Sequence, residues 1–203
     1  MRLGVFGGTF DPPHIGHLIV AQDARRALGL DRVVFVPASI PPHKRTDSIT
    51  PPGTRLAMVR AAIAGDTGFE VDDLELRREG PSWTVETLRS LRSRLPDAEL
   101  ILLIGSDQYA EFESWREPGE IRRLARLAVL TREGGADQPD DVDTVAVTRI
   151  DVSSTGIRAR AAAGEPIRYL VPNAVEALIR LHGLYGASPV EEAAGRTGAR
   201  PAG

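Results

Sequence analysis

Short runs of aliphatic and β-branched residues alternate along this chain with longer segments of helical period. The strand candidates are Leu3–Phe6, Arg32–Val36, Phe69–Val71, Leu100–Ile104, Leu127–Leu130 and Val142–Val147. The helix candidates are Gly16–Leu28, Pro51–Ala64, Trp83–Leu95, Ser154–Ala163 and Pro172–His182. This alternation is typical of parallel strands joined by crossover helices. We therefore predict an α/β fold, a single Rossmann-like domain whose doubly wound, mostly parallel sheet has about five to six strands with helices on both faces.

The chain shows no internal repeat and no linker that would divide it into two domains. Residues 1–186 are therefore predicted to form one domain, which is long enough to bury a full core. The segment Ala187–Gly203 is rich in Ala, Gly, Pro and charged residues, so we expect a disordered tail over residues 187–203. Gly, Asp and Pro crowd together in Gly134–Asp141, which we expect to be a surface loop.

The composition excludes several classes of function. The 25 Lys and Arg against 28 Asp and Glu give a net charge of −3 and a pI near 5.8, whereas a domain that binds nucleic acid through a basic surface has a pI above about 9. The absence of cysteine excludes disulfides and thiolate zinc sites, and it fits a cytoplasmic protein. No apolar run approaches the roughly 20 residues of a membrane span. We expect neither nucleic acid nor a membrane as a partner, and the sequence leaves a homo-oligomer open.

The first predicted strand leads directly into GGTFDPPHIGH at residues 7–17. The adjacent Gly7 and Gly8 allow a tight turn and a close approach of the backbone to a ligand. The helix start just beyond supplies N–H groups and positive dipole character, so the segment is a candidate phosphate site. His14 and His17 lie three residues apart and can face the same anion. The segment lacks the carboxylate of an H-E-x-x-H metal pair, and it is neither a G-x-G-x-x-G nor a P-loop motif.

A second candidate phosphate site lies far along the chain, in DVSSTGIR at residues 151–158. Ser153, Ser154 and Thr155 place three hydroxyls at a predicted helix start, and Arg158 follows one turn later. An ordinary N-cap needs only one such hydroxyl. An arginine can bind two phosphate oxygens at once, so the residues alone leave a helix cap and an anion site both open.

These two segments together resemble the signatures of the nucleotidylyltransferases with an H-x-G-H motif. Members of that family join a nucleoside triphosphate to a phosphate-bearing acceptor and release pyrophosphate. The resemblance implies that His14, His17 and Arg158 are the catalytic residues. It implies that ATP is bound by Gly7, Gly8, Thr9, Phe10, Gly105, Asp107, Ser153, Ser154 and Thr155. It further implies Mg²⁺ as the cofactor, bridged by phosphate oxygens rather than assigned to protein side chains.

Elements in the middle of the chain resemble the nicotinate mononucleotide adenylyltransferases of that superfamily. The loop after the second strand ends in PPHK at residues 41–44, which implies substrate contacts at Ser39 and Lys44. The element SWTVETL at residues 82–88 implies that Thr84 contacts the pyridine substrate. From their composition alone, the first is a solvated loop and the second is a capped helix start.

Trp115 lies eight residues beyond Asp107, in the polar context ESWREP. The resemblance implies that Trp115 stacks on the nicotinate ring, while the backbone N–H groups of Trp115 and Arg116 meet the ring carboxylate. A role in the core is the alternative, since tryptophan usually buries most of its surface. Together, these resemblances imply an enzyme that transfers the adenylyl group of ATP to nicotinate mononucleotide and forms deamido-NAD.

Three alternatives remain from the sequence. The chain could act on another acceptor, such as nicotinamide mononucleotide or phosphopantetheine, because the phosphate motifs alone do not discriminate. It could be a non-catalytic nucleotide sensor that has kept the fold, although His14, His17 and Arg158 are all present. A purely structural protein would leave two complete anion sites without a purpose.

Overall fold

A computed structural model describes residues 1–40, 49–131 and 142–187 of the protein. The strands are β1 (Arg2–Gly8), β2 (Arg32–Pro37), β3 (Phe69–Val71), β4 (Glu99–Gly105), β5 (Arg126–Thr131) and β6 (Val142–Ala146). The helices are α1 (Ile15–Ala27), α2 (Pro52–Ile63), α3 (Thr84–Arg94), α4 (Ser106–Ala110), α5 (Pro118–Leu124), α6 (Ser154–Ala162) and α7 (Asn173–Leu181). Short 3₁₀ turns lie at Phe112–Ser114 and Leu184–Gly186.

The six strands form one parallel sheet in the order β3-β2-β1-β4-β5-β6. This order is that of a doubly wound fold, in which the chain turns from one direction to the other beside the first strand. The predicted α/β class, the parallel sheet and all six predicted strands are confirmed. Because β1 lies between β2 and β4, the reversal creates a crevice at the carboxyl ends of β1 and β4.

Both faces of the sheet are covered by helices, as predicted. Along β4, the side chains of Leu100, Leu102 and Ile104 pack into one core layer with α3 and α5. The intervening Ile101 and Leu103 pack into the opposite layer with α1 and α2, because successive residues of a strand point to opposite faces. Helices α6 and α7 pack onto α2 in a third cluster.

The structure corrects two local predictions. Helices α4 and α5 were not predicted, since five and seven residues are too few to give a clear period. The helix predicted over Trp83–Leu95 begins at Thr84, because Trp83 is its N-cap. The predicted cap at Ser153 is confirmed, since its Oγ accepts a hydrogen bond from the Gly156 N–H at 3.1 Å.

Three segments used in the sequence analysis fall outside the described ranges. They are the PPHK element at residues 41–44, the Gly134–Asp141 loop and residues 188–203 of the predicted tail. Within residues 1–40, 49–131 and 142–187, no helix has the length and apolar character needed to cross a membrane.

Candidate active site

A cleft of about 700 Å³ opens at the carboxyl ends of β1 and β4. Its walls come from the loop after β1, the first turns of α1, α3 and α6, and the segment that joins β4 to β5. Open α/β sheets bind ligands at this position, where the strand order reverses. The cleft therefore brings together residues from four distant parts of the chain.

The buried side chain of Phe10 packs against the loop after β1 on the side of the core. This side chain is only 2% exposed, and its ring lies against Gly8, where a Cβ would come within 2.8 Å of the ring. Phe10 also packs edge-on against Phe6, with 5.7 Å between the ring centroids. Gly7 is exposed at the cleft. The predicted ATP contact at Phe10 thus belongs to a residue whose side chain is mostly in the core.

The two histidines occupy the start of α1. His14 is the N-cap residue, and its N–H donates a hydrogen bond to Nδ1 of His17 at 3.1 Å. The rings are stacked, with centroids 3.7 Å apart. Because Nδ1 of His17 accepts this hydrogen bond, the proton of the neutral ring resides on Nε2. Both histidines line the cleft.

Gly16 leaves little room for a side chain between the two histidines. A Cβ at this position would lie 3.0 Å from Nδ1 of His14. A side chain at residue 16 would therefore crowd the His14 ring, which is buried at 7% exposure. This contact gives a physical reason for the glycine of the H-x-G-H motif in this chain.

The start of α6 meets the loop after β1 directly. Ser154 Oγ donates a hydrogen bond to the Pro12 carbonyl at 2.9 Å. Arg158 Nη1 donates to the Asp11 carbonyl at 2.8 Å, and its Nη2 donates to Thr155 Oγ1 at 3.2 Å. Residues separated by 147 positions in the chain are thus in contact at one end of the cleft. A guanidinium has five N–H donors, so these two bonds still allow Arg158 to bind an anion.

The other end of the cleft is aromatic. Trp115 is half-buried and packs against Phe112, with 5.5 Å between the ring centroids. The Arg116 guanidinium lies 5.5 Å above the centroid of the Trp83 ring. Thr84, the first residue of α3, also lines this end. The Trp115 N–H donates to the Phe112 carbonyl at 3.0 Å, so the amide predicted to meet the ring carboxylate closes a 3₁₀ turn in this structure.

Two of the other predicted residues, Asp107 and Ser39, do not line the cleft. Asp107 is exposed on α4, where Gly105 and Gln108 form the wall instead. Ser39 is half-buried, and its N–H donates to Ser82 Oγ at 2.8 Å. Lys44 lies outside the described residues.

Comparisons with known proteins agree with this geometry. The Cytidylyltransferase-like family model matches residues 5–160. Proteins named "Probable nicotinate-nucleotide adenylyltransferase" from Shouchella clausii and Thermus thermophilus are 45% and 44% identical to the chain, covering 91% of it in each case and 97% and 100% of their own lengths. The chain belongs to the nicotinate-nucleotide adenylyltransferase family. At 16% identity, the Plasmodium falciparum nicotinic acid mononucleotide adenylyltransferase complexed with NaAD has the same fold, with a TM-score of 0.77 over 92% of this chain and 98% of that one.

The sequence analysis missed a buried carboxyl group beside the aromatic end of the cleft. Glu75 is 7% exposed and lines the cleft, and it accepts a hydrogen bond from the Thr87 hydroxyl. Burial raises the pKa of Glu75 above its ordinary value, opposed by hydrogen bonds from Thr87 and Ser82 and by the charge of Arg78. Glu75 lies in a turn, where the hydrophobic periodicity of helices and strands does not apply, so the sequence pattern gave no sign that its side chain is buried.

A fully buried arginine was also missed. Arg55 donates to the carbonyls of Thr50 at 2.9 Å, Thr9 at 2.7 Å and Ser39 at 3.2 Å. Burial lowers the pKa of Arg55, and the nearby negative charge of Asp11 opposes that change. Arg55 thereby ties the loop after β1 to the loop after β2. Arg55 shares the buried face of α2 with Met58 and Val59. An arginine among apolar residues of a helix needs hydrogen-bond acceptors, so this position could have indicated its role.

Proposed function

We propose that the protein transfers the adenylyl group of ATP to nicotinate mononucleotide, which forms deamido-NAD and releases pyrophosphate. The arrangement of side chains in the cleft is the main support for this proposal. His14, His17 and Arg158 lie at one end of the cleft. Trp83, Thr84 and Trp115 lie at the other end. The first set suits a polyphosphate and the second a flat ring. Curated relatives at 41–45% identity with matching names support the same assignment.

The reaction is a single in-line displacement. An oxygen of the acceptor phosphate forms a bond to the α-phosphorus of ATP, and the bond from that phosphorus to the bridging β-phosphate oxygen breaks. The acceptor phosphate is already an anion near neutral pH, so no general base is needed, and no covalent intermediate forms on the protein. The protein's task is alignment and charge stabilisation.

His17 and Arg158 supply the charge stabilisation in this proposal. With Nδ1 held by the His14 N–H, His17 presents its Nε2–H as a fixed donor to a phosphate oxygen. Arg158 is held by the Asp11 carbonyl, so its remaining N–H groups are preset for the β- and γ-phosphates. Donors that are fixed before the reaction stabilise developing charge without the cost of reorganisation.

Magnesium enters this proposal together with ATP. The described residues contain no group of three or more His, Cys, Asp or Glu side chains able to hold a metal ion. Mg²⁺ commonly binds through substrate phosphates, water and one or two protein ligands, so the residues present fit an ion carried by the triphosphate. When bound there, Mg²⁺ neutralises phosphate charge and polarises the phosphoryl oxygens.

The choice of acceptor depends on the aromatic end. A nicotinate ring that stacks on Trp115 would place its carboxylate near the positive charge of Arg116, which lines this part of the cleft. A carboxamide presents N–H donors and no charge. We therefore expect the acid to be preferred over the amide.

An acceptor panel tests the proposal. The purified protein is given MgATP with nicotinate mononucleotide, nicotinamide mononucleotide or phosphopantetheine, and both pyrophosphate and the mass of the product are measured. We expect deamido-NAD and pyrophosphate in equal amounts with nicotinate mononucleotide, and at least about tenfold lower kcat/KM with the amide. Turnover only with another acceptor, or MgATP binding without any turnover, would contradict the proposal. Chelation of Mg²⁺ should stop the reaction, and added Mg²⁺ should restore it.

A further inference from the structure

The last described turn of the chain contacts the loop that carries the catalytic histidines. Tyr185 lies in the 3₁₀ turn Leu184–Gly186, and its hydroxyl donates a hydrogen bond to Oδ1 of Asp11 at 2.5 Å. These two residues are 174 positions apart. The Asp11 side chain is 4% exposed and lies three residues before His14. This turn therefore contacts the buried part of the loop that leads to His14.

The Asp11 carboxylate has acceptor bonds on both oxygens. Its Oδ2 accepts from the Thr50 N–H at 3.2 Å, while the Thr50 hydroxyl donates to the Tyr185 oxygen at 3.3 Å. A buried carboxylate is stable only when such donors satisfy it. Tyr185, Thr50 and Asp11 thus form a closed triangle of hydrogen bonds from three distant segments.

The same Asp11 holds Arg158 through its main chain. Its carbonyl accepts the hydrogen bond from Arg158 Nη1 at 2.8 Å. Fixing the Asp11 side chain therefore also limits where this carbonyl can lie, and with it the Arg158 guanidinium. Burial and the Asp11 hydrogen bond raise the pKa of Tyr185, so the phenol keeps its proton and remains a donor at any pH at which the protein is assayed.

The backbone around Tyr185 is shaped for this contact. Gly183, Tyr185 and Gly186 all have positive φ, at 56°, 58° and 79°. Such a conformation is strained for tyrosine and persists only where the surroundings favour it. Gly186 lies against α6, where a Cβ would be 3.5 Å from Cα of Ala162. The turn is thus pressed onto the helix that carries Arg158.

We propose that Tyr185 is a positioning residue that holds Asp11, and through its carbonyl Arg158, in the geometry needed for adenylyl transfer. This inference rests on the proposed function for its catalytic readout. Tyr185 does not touch the substrate in this account. Its effect reaches the triphosphate only through Asp11 and Arg158.

The test compares Tyr185→Phe with the matched control Tyr169→Phe, which removes the hydroxyl of a tyrosine that is 75% exposed and also has positive φ. Assays are run well below the melting temperature of each variant, with folding checked by circular dichroism. We expect Tyr185→Phe to lower kcat about tenfold, with the KM for nicotinate mononucleotide within about twofold of native, because a displaced charged group impairs the transition state more than acceptor binding. Tyr169→Phe should match the native protein.

Epistasis separates positioning from general stability. In an Arg158→Ala background, Tyr185→Phe should have an effect below about twofold, because the group through which it acts is gone. An unchanged kcat in Tyr185→Phe, or a full tenfold loss that persists in the Arg158→Ala background, would overturn the inference.

If the native protein turns over no acceptor, the proposed function fails, and the affinity for MgATP then decides the inference. Tyr185→Phe must weaken that affinity relative to native and to Tyr169→Phe, and equal affinities would overturn it.

Discussion

The two ends of the cleft are built differently. At the phosphate end, Asp11 and His14 are buried, and hydrogen bonds to main-chain carbonyls join α6 to the loop after β1. At the aromatic end, Trp115 is half-buried and Arg116 is exposed, with its guanidinium over the Trp83 ring. Groups held by packing and hydrogen bonds are preorganised, whereas an exposed side chain such as Arg116 can be replaced at little cost to stability. We therefore expect the phosphate end to control turnover and the aromatic end to control the choice of acceptor.

The largest expected effect is at the phosphate end, in His17→Ala. Loss of the Nε2–H donor should lower kcat by about 10²–10³-fold, since it removes one preset donor to the reacting phosphate. Pyrophosphate release under saturating MgATP and acceptor measures this loss. His182→Ala, at an exposed position after α7, is the control and should behave as native. A His17→Ala variant with native kcat and a raised acceptor KM would reverse the assignment of the two ends.

Trp115→Ala should instead affect the acceptor. Loss of a stacking surface worth about 1–3 kcal/mol predicts a rise of roughly 5–150-fold in the KM for nicotinate mononucleotide. The KM for ATP should stay within about twofold of native, and Trp115→Phe should recover part of the loss. Equal increases in both KM values would show that the two ends do not act separately.

A pair of glycines gives a smaller and more local test. Gly16 and Gly53 are each the second residue of a helix, but a Cβ at Gly16 meets His14 whereas one at Gly53 meets nothing within 4 Å. Gly16→Ala should lower kcat about tenfold by shifting the His14 ring. Gly53→Ala should leave kcat unchanged and raise stability by up to about 1 kcal/mol through helix propensity. If both variants keep native kcat, the position of the His14 ring does not matter.

The smallest effect concerns stability near the aromatic end. The raised pKa of Glu75 means that the folded state binds more protons than the unfolded state above pH 4.5, the ordinary value for this group. The stability contributed by Glu75 is then complete below that pH and is lost as the pH rises through its folded-state pKa. Glu75→Gln cannot ionise, so its Tm relative to native should increase from pH 4.5 to pH 8. A Tm difference that stays constant or falls with pH would contradict a raised pKa.

The sequence was most informative where the structure is local. Each strand was predicted from a short apolar run, and both phosphate segments from residues adjacent in the chain, such as Gly16 between His14 and His17. Helices α4 and α5 are too short for a periodic signal. For this reason Asp107 was predicted to face the ligand, whereas Gln108, which lines the cleft, was missed. Contacts such as Tyr185 with Asp11 join residues 174 positions apart, and no local pattern encodes them.

The division of the cleft can be tested most directly by a crystal structure of the protein with a non-hydrolysable ATP analogue and nicotinate mononucleotide. We predict that the triphosphate lies between His17 and Arg158, with the acceptor phosphate in line with the α-phosphorus and the pyridine ring stacked on Trp115. A triphosphate bound away from Arg158, or a ring bound without contact to Trp115, would contradict it.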